Sequence, residues 1–176
     1  MSRTQAVSYG HRSFWAYDVA LGILLKHMID AAKAKAEPGE SSWLAKQLEF
    51  WPQVAVLGGD AYGLCICRKW SRNQIAIFVD IIRSACRALS IHQSISAEEV
   101  AGWSMQVGDI GMDTRGAKEV RTAPVIELGE AIIALLDGTL EAAPRGTWWY
   151  FGLPDSRSTI PMSVSEQHEY DCSGCG

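Results

Sequence analysis

Ser71 to Leu89, SRNQIAIFVDIIRSACRAL, constrains this chain more than any other stretch. At 100° per residue, Asn73, Asp80, Arg83, Ser84 and Arg87 fall into one narrow polar stripe. Ile75, Ile77, Phe78, Val79, Ile81, Ile82, Ala85, Cys86 and Leu89 take most of the remaining circumference. A surface helix needs only one apolar stripe, so a helix this apolar predicts enclosure by other elements. Ser71, followed three residues later by Gln74, supplies a capping-box start. The expected fold is therefore mainly α: one domain over residues 1–164, a helical bundle around the buried central helix 71–89.

The flanking segments fit around that post. Residues 1–12 read as polar and loose. From Ser13 to about Ala36 the spacing is helical, with Phe14, Tyr17, Leu21, Leu24, Leu25, Met28 and Ala32 on one face. Glu37-Pro38-Gly39 ends it, and Ser41 or Ser42 caps a short second helix that stops before Pro52. Val54–Leu57 and Leu64–Cys67 are apolar runs too short to separate strand from helix. Ser96 with Glu99 caps a short helix through roughly Trp103, and Gly108–Gly116 reads as a loop. Thr122-Ala123-Pro124 opens another helix, which Gly138 closes. Thr147–Phe151 and Thr159–Val164 then read as a small C-terminal β-hairpin, about 147–164, with Pro161 on an edge. Residues 165–176 read as a flexible polar tail.

Charge narrows the function classes. The whole chain carries −4, but residues 122–176 hold two arginines against eight carboxylates, a net of −6. A nucleic-acid binder needs a basic face, so nucleic acid is not the expected partner. A basic protein would be drawn to the C-terminal third. No uninterrupted apolar stretch approaches the roughly 20 residues that span a bilayer, so a membrane is not expected either. No secretory signal is recognisable, and the five cysteines are an odd number. Those two features predict a cytoplasmic protein with reduced thiols.

Catalytic signatures are missing. Gly58–Gly63 has neither the dinucleotide-binding order nor the Lys-Ser/Thr of a phosphate loop, and His11, His27, His92 and His168 are scattered. Cys172 and Cys175, with His168 four residues before the first, have ligand-like spacing that Cys65 and Cys67 could complete. No helix follows them to lower a thiol pKa, and an incidental tail is the simpler reading. No cofactor is expected. Cys86 reads as a small hydrophobe. Asp18 is the more unusual acid: it lies on the apolar face of the first helix, where a carboxylate must be paired, hydrogen-bonded or protonated. It is either a buried acid in a pocket or an internal partner for an arginine, an indole N–H or a free backbone N–H. Asp109, Asp113 and Arg115 in the 108–116 loop could face a cation or phosphate, although solvated turn residues explain them more simply.

Trp148-Trp149-Tyr150-Phe151 is the strongest unusual feature. On a strand, Trp148 and Tyr150 face one way, Trp149 and Phe151 the other. One pair can pack on the helices. The other needs a cover or forms an interface together with Glu127, Glu130, Asp137, Glu141 and Asp155. In profile, a small cytoplasmic chain with an acidic binding face and no catalytic motif is similar to bacterial immunity proteins that neutralise toxins. No motif carries that likeness, so it assigns no residues. The expected function is thus a non-enzymatic protein-binding module whose partner is a specific protein such as a basic toxin domain. The alternatives are a small-ligand binder or enzyme with a site near Asp18 or the 108–116 loop, and a homodimeric structural subunit.

Overall fold

The computed structural model of the chain describes residues 4–35, 42–58 and 63–162. The expected tail 165–176, with His168, Cys172 and Cys175, lies outside the described residues. The bundle expectation is overturned: the fold is mixed α/β, with a five-stranded sheet under a two-deep layer of helices. In chain order the sheet strands are β1 (Thr4–Tyr9), β2 (Arg12–Tyr17) and β3 (Leu64–Ile66), with the C-terminal pair Thr147–Phe151 and Ser158–Pro161 completing the sheet. The helices are α1 (Asp18–Lys35), α2 (Ser42–Leu57), α3 (Arg72–Leu89), a short α4 (Ala97–Ala101) and α5 (Thr122–Asp137). Short pairs, β4 (Ser94–Ser96) with β7 (Glu119–Arg121) and β5 (Gln106–Val107) with β6 (Ile110–Gly111), decorate the connection from α3 to α5. The C-terminal strands are therefore β8 and β9.

Residues 4–17, expected to be loose up to residue 12 and helical from Ser13, form two strands instead. β1 and β2 form a hairpin in antiparallel register, Val7 opposite Phe14, with Gly10 at φ +65° in its two-residue turn. Phe14, Tyr17, Leu21 and Leu24 happen to keep a helical period, yet a strand places Phe14 and Ala16 on one face just as well. α1 starts directly at Asp18, where β2 ends. β3 joins β1 in parallel and β8 joins β2 in parallel, giving the order β3-β1-β2-β8-β9. Gly63 permits the β3 approach, because a Cβ there would stand 2.6 Å from the Ala6 carbonyl oxygen.

The central helix is α1, and not α3. α1 lies between the sheet and the helices α2 and α3, beside α5, which also packs on the sheet, and its Ala20, Leu21, Ile23, Leu24, Leu25, Met28 and Ala32 are fully enclosed. α3 has the capping box at Ser71 and Gln74, but it is one-sided. Phe78, Ile81, Ile82, Ala85 and Leu89 face the core, while Ala76 and Ala88 share the solvent with Asp80, Arg83 and Arg87. Ile75, Ile77 and Cys86, counted in the apolar circumference, are only half-buried, so that circumference overstated enclosure. Asp80 pairs with Lys35 rather than with Arg83, and Arg87 donates to Ser84 at 2.9 Å.

Elsewhere local signals held or were outweighed. α2 runs through Pro52 to Leu57, because Trp51, Val54, Ala55 and Val56 bury against the core and outweigh the lost N–H. Ser96 caps α4 through the Glu99 N–H. Gly138, at φ +76°, ends α5 in the left-handed conformation. The C-terminal hairpin forms with its first strand as expected and its second at Ser158–Pro161, and Pro161 lies on edge strand β9 opposite Thr147. No helix is long and apolar enough to cross a membrane among the described residues.

Candidate functional site

The two positions expected for a small-ligand site meet. Asp18 is 4% exposed, and its Oδ1 accepts the Val19 N–H at 2.8 Å. Arg115, from the 108–116 loop, brings Nε to 3.3 Å from Asp18 Oδ2 and Nη1 to 3.2 Å from Asp113 Oδ2. The loop is shaped to deliver that guanidinium. Asp113 Oδ1 accepts the Arg115 N–H at 2.6 Å, which holds Arg115 at φ +54°. Behind the pair, the buried Gln5 amide donates to the Val54 carbonyl at 2.8 Å. Burial, and then the Asp18 charge, raise the Tyr17 pKa. The arrangement closes an ion pair over the start of α1 and keeps its carboxylate out of water. Of the two readings of Asp18, the internal partner for an arginine and a backbone N–H matches this geometry. Asp109 takes no part in it.

A second constellation is open. α3 and α5 diverge around a groove of about 390 Å³ lined by Arg83, Cys86, Arg87, Glu130, Ile133 and Asp137, among others. Its floor is apolar, through Ile133 and Ala134. Glu130 and Asp137 lie one heptad apart on the same side of α5, facing two guanidiniums on α3. Gly129 lets the helices close beneath it, since a Cβ there would meet Cys86 Sγ at 2.6 Å. Burial, assisted by Glu130, pushes the Cys86 thiol up to about 11, so it stays protonated and unreactive near neutral pH.

The aromatic hairpin is only partly available. Phe151 is buried, meeting the Phe14 ring edge-on at 5.0 Å. Trp149, half-buried on the same helical side, donates its indole N–H to the Glu141 carbonyl at 2.9 Å and lies under Arg157. Tyr150 is buried on the opposite sheet face beside Trp15, and Trp148 is half-buried there. Glu127 sits 3.9 Å from Arg157, whereas Glu130, Asp137, Glu141 and Asp155 are exposed. Thus the expected acidic and aromatic set divides. Glu130 and Asp137 share the groove, Trp149 is tied to Glu141, and Trp148 with Tyr150 faces away.

Sequence reasoning missed the arginine wall. Arg83 and Arg87 read as part of a local solvated stripe, and nothing in a single helix pattern says which neighbour will stand opposite. Arg115 was visible as a loop cation and Asp18 as an acid needing a partner, but their separation of 97 residues hid the pairing. The thiols also differ from expectation: Cys65 and Cys67 are disulfide-bonded, and Cys86 is free. No group of three His, Cys, Asp or Glu could hold a metal ion among the described residues. No protein-family model matches the chain, and no curated protein or solved structure is detectably similar to it.

Proposed function

We propose that the protein is a non-enzymatic protein-binding module of the toxin-neutralising kind, and that the groove between α3 and α5 is where its partner docks. The observation that supports this is the groove itself: an open apolar floor below Glu130 and Asp137, in the acidic third of the chain. A small apolar anchor from the partner fits the floor, and basic residues beside it meet the α5 carboxylates. Arg83 and Arg87 on the far wall repel a uniformly cationic surface, so they select a partner that also carries acid.

The test is titration of the protein with a basic protein domain encoded by a neighbouring gene. Complex formation at micromolar concentration is expected, together with a loss of about tenfold or more in affinity for Glu130→Lys combined with Asp137→Lys. No complex at that concentration, or one indifferent to both substitutions, overturns the reading. Both residues are exposed, so folding stability serves as the control and should move by less than about 0.5 kcal/mol for each change.

A second reading has its own observation. Asp18 and Arg115, 97 residues apart in the chain, meet at one point, as a small-ligand site would require. Under that reading, exchange of Arg115 alters activity and exchange of Glu130 does not.

A further inference from the structure

We propose that the groove between α3 and α5 is self-complementary, and that a second copy of this chain docks on it as a two-fold homodimer. In that dimer Arg83 and Arg87 of each copy meet Asp137 and Glu130 of the other. The inference goes beyond the docking reading above, because the pairing needs no other protein.

The first support is the set of charges left uncommitted. Other ions on the same two helices are taken, since Asp80 pairs with Lys35 and Glu127 with Arg157. Arg83, Arg87, Glu130 and Asp137 enter no ion pair among the described residues, and all four are exposed. Arg87 donates to the Ser84 hydroxyl on its own helix, a contact that leaves its charge unmatched. The groove thus has two cations on one wall and two anions on the other. A uniformly basic or acidic surface meets one favourable wall and one repulsive wall. A surface with the walls in opposite order meets two favourable ones, and the chain's own groove has that order when turned over.

The second is geometry. Half a turn about an axis along the groove sets a second copy face down on the first and lays its α3 over the first copy's α5. Each residue keeps its level along the groove in that operation. Arg87 and Glu130 share a level, since the Cys86 thiol feels both charges. From there α5 runs forward to Asp137 and α3 runs back to Arg83 along the same groove. The two distances differ by about 4.5 Å, which an arginine side chain spans. Every contact then occurs twice, as a two-fold interface requires.

The third is the floor. Ile133 and Ala134 are apolar and only half-buried, so a cover removes apolar surface from water. Side by side, α3 and α5 present a face of about 24 Å by 20 Å, or about 500 Å² per copy. About 1,000 Å² for the pair lies at the low end of specific interfaces. The dimer is therefore a weak one, with a dissociation constant of about 10–100 µM.

Sedimentation equilibrium of the full chain from about 5 to about 500 µM is the direct test. A monomer–dimer equilibrium is expected in that range. Reversing either wall, by Glu130→Lys with Asp137→Lys or by Arg83→Glu with Arg87→Glu, should weaken it by about tenfold or more. The two reversed chains mixed in equal amounts should associate again, because each then meets opposite charge at both walls. All four positions are exposed, and far-UV circular dichroism like the parent's checks that each variant folds. A parent monomeric across the range, reversed chains that dimerise like the parent, or a mixture that stays monomeric would each overturn the proposal. None of these measurements uses a foreign protein. A failed titration with the neighbouring gene's domain therefore leaves the dimer standing, and a monomeric parent leaves the docking proposal standing.

Discussion

Two charged constellations, Asp18 with Arg115 and the α3–α5 groove, use the same residue types to opposite ends. At the start of α1, a carboxylate is nearly sealed from water and one guanidinium is divided between it and Asp113. In the groove, Glu130, Asp137, Arg83 and Arg87 stand around an open floor. The difference is one of desolvation. A buried carboxylate is expensive to leave alone, so its partner is structural. Exposed charges contribute little to folding and remain available for a second molecule. Candidate binding residues here are therefore those whose charge is not already committed within the chain.

Removal of the sealed partner should have the largest effect. Arg115→Ala takes the guanidinium away from the buried Asp18 carboxylate, and with Arg115 partly exposed the loss in urea denaturation should be about 3 kcal/mol. A loss below roughly 1 kcal/mol would put Asp18 in the same class as Glu130 and end the contrast. Next comes Gly129→Ala, which drives a methyl against Cys86 Sγ and forces α3 from α5. A destabilisation of about 1–3 kcal/mol is expected, and partner binding should weaken with it if the groove is the docking site. A thermal midpoint equal to that of the parent would show that the groove floor is pliant.

His27 supplies an intermediate case and the smallest effect. It stands on α1 against the Trp103 ring, at 5.9 Å, and its Nε2 is enclosed without a hydrogen-bond partner among the described residues. Burial, and then neighbouring Lys26, lower its pKa below the usual 6.5. The unfolded chain therefore takes up a proton that the folded chain refuses. Stability should be full above about pH 6.5 and fall as the pH drops from there toward the lowered value. Thermal melts across that window should slope for the parent and flatten for His27→Gln. A parent curve without slope would place His27 with the open charges.

Legibility followed the range of the physical signal. The Ser71 and Ser96 caps, the α5 boundaries and the first strand of the C-terminal hairpin are written in residues a few positions apart, and the structure has them where the sequence placed them. β1 and β2 were hidden because Phe14 and Tyr17 continue the period of α1 across a boundary with no loop. α1 and α3 are both rich in apolar residues, and only packing shows that one is surrounded and the other covers a flank. Asp18 was legible as a demand. The answer to it, Arg115, lay in a loop that folds beside it only when the whole domain is assembled.

The parallel seam between β2 and β8 bears on how the chain is made. The β1–β2 hairpin is complete at Tyr17, yet the outer edge of β2 pairs with residues 150 and 151. More than 130 further residues must leave the ribosome after Tyr17 before that edge is satisfied. Contacts of such long range slow folding and leave an unpaired strand edge exposed meanwhile. The N-terminal hairpin is thus the segment of the nascent chain in most need of chaperone cover.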